Sequence, residues 1–161
     1  MWSLGHKNDR PLLRARVAAG LATLKAQPGV AVDKIAAIGY CFGGTAVLEL
    51  ARSGADIAGV VSFHGGLDTP TSQDAKNIRA KVLALHGADD PYVPADQVAA
   101  FENEMRQAGV DWQLIVYGGA VHGFTNPANG TDNSKGAAYN ALADARSWVA
   151  MQRFFNELFA K

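Results

Sequence analysis

The one cysteine of the chain, Cys41, stands in the hexapeptide Gly39-Tyr40-Cys41-Phe42-Gly43-Gly44. This matches the G-x-nucleophile-x-G elbow with cysteine in place of serine. A sulfur attacks as its thiolate, so a working thiol needs a base and the base needs an orienting acid. Both candidates lie downstream, Asp90 in Gly87-Ala88-Asp89-Asp90-Pro91-Tyr92-Val93-Pro94 and His122 in Gly118-Gly119-Ala120-Val121-His122-Gly123-Phe124. The order nucleophile, acid, histidine is one in which catalytic triads occur. The separations, 49 residues from 41 to 90 and 32 from 90 to 122, allow each group its own strand end on one sheet. The chemistry expected is acyl transfer, with Cys41 as nucleophile, His122 as base and Asp90 fixing the imidazole. The Phe42 backbone N–H is the expected oxyanion donor at the start of a helix.

Each residue also has a plainer role open to it. A free cysteine is commonly a small buried side chain. Asp89 and Asp90 suit a turn or the cap of a following helix. Asp90 is preferred as the acid because it immediately precedes Pro91 in D-P-x-V-P, leaving Asp89 as its loop neighbour. His122 in a glycine-flanked loop has no packing reason to be there. His64, at the end of IAGVVSFHGG, faces the same edge and is expected to line the pocket, together with Tyr40 and Phe124. His6 and His86 are expected to be structural or solvated.

The elements that position these residues follow from periodicity. An amphipathic helix over about residues 11–27 carries Leu12, Leu13, Val17, Leu21 and Leu24, and Pro28-Gly29 stops it. Strands are expected at 34–40 (KIAAIGY), 57–63, 81–86 and 112–117. Helices are expected at 43–53, 94–108 and about 137–159, with a short helix or turn at 74–80 and a polar loop at 118–136. Glycines at 39 and 43 are expected because side chains there would strike the neighbouring strand and helix. Strands alternating with helices imply an α/β fold, a parallel sheet of about four strands with helices on both faces. All three proposed catalytic groups then lie at the carboxyl edge, where open α/β sheets place ligands.

Composition narrows the class of function. The 161 residues are 48% hydrophobic and 19% charged, the balance of one globular domain over residues 1–161. Fifteen basic and fifteen acidic residues without charge runs argue against a nucleic-acid partner. No stretch approaches the ~20 apolar residues of a membrane span, and no leader is legible, so a cytoplasmic location is expected. One cysteine precludes an intrachain disulfide and the usual four-ligand zinc patterns, so neither a metal nor an organic cofactor is expected.

GYCFGG, VSFHGGL, LHGADDPYVP and GGAVHGFTNP, in that order, resemble the dienelactone hydrolase (carboxymethylenebutenolidase-like) family of α/β hydrolases. The resemblance implies that Cys41, Asp90 and His122 correspond to that family's triad. It covers the later part of such a protein, so the expected fold is a truncated α/β-hydrolase fold. The family's second oxyanion donor, an acidic neighbour of the cysteine and a substrate-binding arginine belong to the portion that is not matched. A further family arginine falls on Asn126. The substrate expected is therefore a broader class of small ester or lactone than dienelactone itself. The nucleophile strand would lie at a sheet edge, which implies a homodimer or higher oligomer covering it. An idle relative serving as a binding or assembly module is the alternative, and a thiol redox sensor is disfavoured because no second cysteine is present to resolve a sulfenic acid.

Overall fold

Short runs rich in valine, isoleucine and leucine cannot remain in water, and here they pair with one another as strands. The computed structural model describes residues 9–160. Helix α1 (Arg10–Lys25) is followed by β1 (Ala36–Tyr40), α2 (Phe42–Arg52), β2 (Gly59–Phe63) and a 3-10 segment (Ser72–Asn77). Strand β3 (Lys81–Gly87), α3 (Ala95–Ala108) and β4 (Trp112–Tyr117) come next, then two 3-10 turns (Pro127–Asn129 and Asn133–Lys135) and α4 (Ala141–Phe159). The four strands form one parallel sheet in the order β1-β2-β3-β4.

Sequential order has a geometric consequence. Right-handed crossovers that always step the same way deliver their connections to the same face. Helices α2 and α3 and the 3-10 segment accordingly share one core with Val60, Val82 and Ala84, through Leu48, Ala75, Phe101 and Met105. Helix α4 follows the last strand and crosses to the opposite face, where Met151 and Phe154 meet Val61, Phe63, Leu83 and Leu85. Neighbouring residues of β2 and β3 thus serve opposite cores, as the period of two requires. The sheet has helices on both faces, as the alternation of elements implies.

Helix α1 departs from the expected stripe. Leu13 is buried and Val17 and Leu21 pack on the first core, but Leu12 and Leu24 are exposed. Leu12 lies about 100° around the helix from Leu13, and Leu24 sits in the last turn. Ion pairs complete the contact instead. Arg14 donates through Nε to Glu49 at 2.8 Å and through Nη1 to Asp74 at 2.6 Å, and Arg10 reaches Asp68 at 2.8 Å. Glu49 also accepts from Arg52 at 3.0 Å, and Arg52 grips Glu104 of α3 with two bonds of 2.8 and 2.7 Å. Arg52 and Glu49 are wholly buried, so each requires the opposite charges gathered around it.

Helix α4 begins four residues later than residue 137, where the sequence reading starts it. Ala137 instead bridges to His122, and Asn140 caps the helix by accepting from the Ala143 N–H at 3.0 Å. His6 lies outside the described residues.

Candidate active site

The turn from β1 to α2 places one residue in a conformation that L side chains resist. Cys41 has φ 52° and ψ −121°, between the last residue of β1 and the first of α2. The strain is held by its surroundings. The Cys41 N–H donates to the Phe63 carbonyl at 3.0 Å, which continues the sheet pairing, while the Gly44 N–H bonds back to the Cys41 carbonyl at 2.9 Å. Gly39 is obligatory, since a Cβ there would overlap the Gly43 carbonyl. Gly43 is not, contrary to the expectation from sequence, because a Cβ at that position meets nothing within 4 Å. The tight approach is one residue later. A Cβ on Gly44 would come within 2.9 Å of Gly65 Cα and 2.5 Å of Ser62 Oγ, so α2 rests on the β2 end through two glycines.

The acid and the histidine arrive from the ends of β3 and β4. Asp90 is buried just beyond β3; its Oδ1 accepts from the Tyr92 N–H at 2.9 Å and its Oδ2 meets His122 Nδ1 at 2.9 Å. The neighbouring Asp89 is exposed. With Nδ1 engaged by Asp90, the Nε2 side of His122 is left for the thiol of Cys41; the ligating atoms of Cys41, His64 and His122 all lie within 4.8 Å of one another. Burial works against a charged His122, but the Asp90 hydrogen bond and then Cys41 outweigh it and raise its pKa to about 9. Tyr92 packs edge-on against the ring at 5.3 Å. Phe42 is the first residue of α2, so its amide is among the donors that a helix start leaves without an intrahelical acceptor.

His64 is nearer to the Cys41 sulfur than a pocket wall. It is 2% exposed, has φ 40°, and is anchored by its N–H to the Leu85 carbonyl at 2.8 Å. Its Nδ1 accepts from the Cys41 N–H at 3.2 Å and lies 3.4 Å from Cys41 Sγ, while Nε2 contacts Thr125 Oγ1 at 2.8 Å. Burial, and then the positive potential of His122, lower its pKa to about 4, so the ring is neutral at neutral pH. Phe124 is fully buried with its ring 5.0 Å from His64, and it supports that ring instead of lining a pocket. Tyr40 is exposed and stacks on Phe63 at 4.4 Å. His86 is buried below the site and burial lowers its pKa. Thr125 was not singled out in the sequence; its place three residues after His122, inside GGAVHGFTNP, was the available signal.

Beside this geometry stand the relatives. The model of the dienelactone hydrolase family matches residues 1–159. This chain belongs to the dienelactone hydrolase family. An uncharacterised protein of Caenorhabditis elegans is 37% identical over 150 residues, covering 92% of this chain and 95% of its own length. A Bradyrhizobium protein named "probable 2-oxo-3-(5-oxofuran-2-ylidene)propanoate lactonase" is 31% identical over 126 residues, covering 73% of this chain and 50% of its own. The crystal structure of a dienelactone hydrolase-like promiscuous phosphotriesterase from metagenomic libraries superposes with a TM-score of 0.91 at 48% identity, covering 98% of this chain and 66% of that one. This member of the family therefore spans about two thirds of that solved relative and half of the named lactonase. Among the described residues no helix is long and apolar enough to cross a membrane.

Proposed function

We propose that this chain hydrolyses small carboxylic esters or lactones through Cys41, His122 and Asp90. The observation that carries the reading is the strained elbow holding Cys41, faced by an imidazole whose far nitrogen is fixed by a buried carboxylate. His122 takes the thiol proton, and the sulfur forms a bond to the acyl carbon. The Phe42 N–H receives the oxyanion, and the alcohol leaves with the proton from His122. Water, deprotonated by the same ring, then cleaves the thioester and returns the thiol. No metal or organic cofactor enters these steps. The name of the Bradyrhizobium relative favours a lactone, and the metagenomic relative suggests activated phosphotriesters as a second class of probe.

Equal rates for the wild type, Cys41→Ala and His122→Ala on short p-nitrophenyl esters would remove the assignment. The expected result is loss of at least two orders of magnitude in both variants.

The outer edge of β1 bears on a second reading. Among the described residues strand β1 pairs on one side only, and Ile38 and Tyr40 are 43% and 39% exposed. Parallel sheets ordinarily bury such strands. We propose that a second copy of this chain covers the edge, which light scattering at micromolar concentration reads as a dimer or larger; a monodisperse monomer contradicts it. The same open wall favours the alternative of an idle module used for binding or assembly. Rapid alkylation of Cys41 by iodoacetamide near neutral pH, lost in His122→Ala, supports the enzyme, and slow alkylation in both supports the module.

A further inference from the structure

Two imidazoles face the thiol of Cys41, and ester hydrolysis as proposed uses only one. His64 Nδ1 lies 3.4 Å from Sγ, and the ligating atoms of Cys41, His64 and His122 all fall within 4.8 Å of one another. Both rings are held from behind by an oxygen, His122 through Nδ1 to Asp90 at 2.9 Å and His64 through Nε2 to Thr125 at 2.8 Å. For His64 the tautomer follows independently. Its Nδ1 accepts the Cys41 amide, so the proton resides on Nε2 and the unprotonated nitrogen is the one 3.4 Å from the sulfur. A histidine with one nitrogen tied to an outer oxygen and the other unprotonated is how proteins prepare a metal ligand.

We propose that Cys41, His64 and His122 bind a thiophilic divalent ion of the zinc type, and that occupancy silences the thiol. Zn–S of about 2.3 Å and Zn–N of about 2.0–2.1 Å at tetrahedral angles put sulfur and nitrogen about 3.5 Å apart and two nitrogens about 3.4 Å apart. The Cys41–His64 pair is already at that separation. The widest pair must close by no more than about 1.4 Å from its 4.8 Å limit, and His122 sits on a loop and is part-exposed, which allows the ring to tilt.

Coordination strands no donor, since the Cys41 N–H keeps the Phe63 carbonyl at 3.0 Å when Nδ1 turns to the metal. One thiolate and two imidazoles select zinc over magnesium or calcium, and three ligands leave a fourth position for water. The thiol releases its proton and the charged His122 ring releases the one on Nε2, both to solvent, so that one thiolate, two neutral imidazoles and the dication make a complex of charge +1, with the buried Asp90 carboxylate behind His122.

The test begins with protein stripped by EDTA and exchanged into chelator-free buffer. Calorimetric titration with ZnCl2 is expected to give one ion per chain, and CoCl2 to give tetrahedral visible bands with a thiolate-to-cobalt charge-transfer band. Alkylating Cys41 with iodoacetamide in protein whose circular dichroism is unchanged, and separately His64→Gln, are each expected to weaken zinc binding at least tenfold. MgCl2 is expected not to bind at the same concentrations. Absence of stoichiometric zinc binding, or binding indifferent to alkylation, or a cobalt spectrum without the thiolate band, overturns the proposal. The inference does not depend on ester hydrolysis. If the stripped protein is inactive but the titrations behave as stated, the hydrolase reading fails and the metal site stands. If the stripped protein hydrolyses esters and zinc neither binds nor slows it, the metal site alone fails.

Discussion

Replacing Asp90 by asparagine tests the proposed site at its least exposed member. The carboxylate holds His122 by Oδ2 at 2.9 Å and the Tyr92 amide by Oδ1 at 2.9 Å. Asparagine can keep the second bond but presents its NH2 group to Nδ1. The imidazole must then accept there and carry its proton on Nε2, the wrong tautomer for receiving one from Cys41. The same exchange in a serine protease lowers kcat about 10⁴-fold. A fall of about 10³–10⁴ in kcat/KM is expected here, or about 4–5.5 kcal/mol at 1.36 kcal/mol per decade.

A second magnitude comes from proton linkage. His122 is raised from 6.5 to about 9, although burial opposes it, with Asp90 first among the groups that raise it. A shift of about 2.5 units corresponds to about 3 kcal/mol. Because the folded value lies above the unfolded one, this stability is present in full below about pH 6.5 and is lost as pH rises through about 9. In metal-free buffer with EDTA, Asp90→Asn should therefore be less stable than wild type by about 2–3 kcal/mol in urea unfolding at pH 6, and the gap should shrink by pH 10. The His122 ring, followed by NMR, should titrate lower in the variant than in the wild type, since burial then meets less opposition. A variant within tenfold of the wild-type rate, with an unmoved His122 titration, refutes the reasoning.

Other perturbations test the frame around the site. Glu104→Ala leaves the guanidinium of the buried Arg52 without its two-bond partner, and urea unfolding should show a loss of about 3–5 kcal/mol. Gly39→Ala forces a methyl group into the Gly43 carbonyl, so folded yield should fall sharply, whereas Gly43→Ala, with open space around its Cβ, should remain folded by circular dichroism. Asn140→Ala removes the cap of α4 and should lower stability by about 1 kcal/mol in the same unfolding assay.

Much of this molecule was legible where one signal dominated. Strand β4 runs over Trp112–Tyr117 as expected, because a largely apolar run between the helix stop at Gly109 and the turn at Gly118 has few alternatives. Asp90 is preferred over Asp89 because it immediately precedes Pro91 in D-P-x-V-P, and its buried carboxylate meets His122 Nδ1 at 2.9 Å while Asp89 is exposed. What escaped depends on contacts between distant segments. That Gly44 touches Gly65, while Gly43 touches nothing, depends on how α2 leans on the end of β2. Arg10, Arg14, Glu49, Arg52 and Glu104 read as ordinary helix-surface charges until α1 and α3 close over α2. His64 resembles a strand-end residue, and only its positive φ turns the ring under the thiol.

The one-directional strand order has a consequence for how the chain matures during synthesis. Each new strand pairs with its immediate predecessor in sequence, so the sheet can grow stepwise from the amino end as the polypeptide leaves the ribosome. The elbow carrying residue 41 can form early, while the acid at 90 and the imidazole at 122 join it only after later strands dock. A nascent chain halted before β4 would display the sulfur without the ring of residue 122. The full cluster is therefore assembled among the last events of folding.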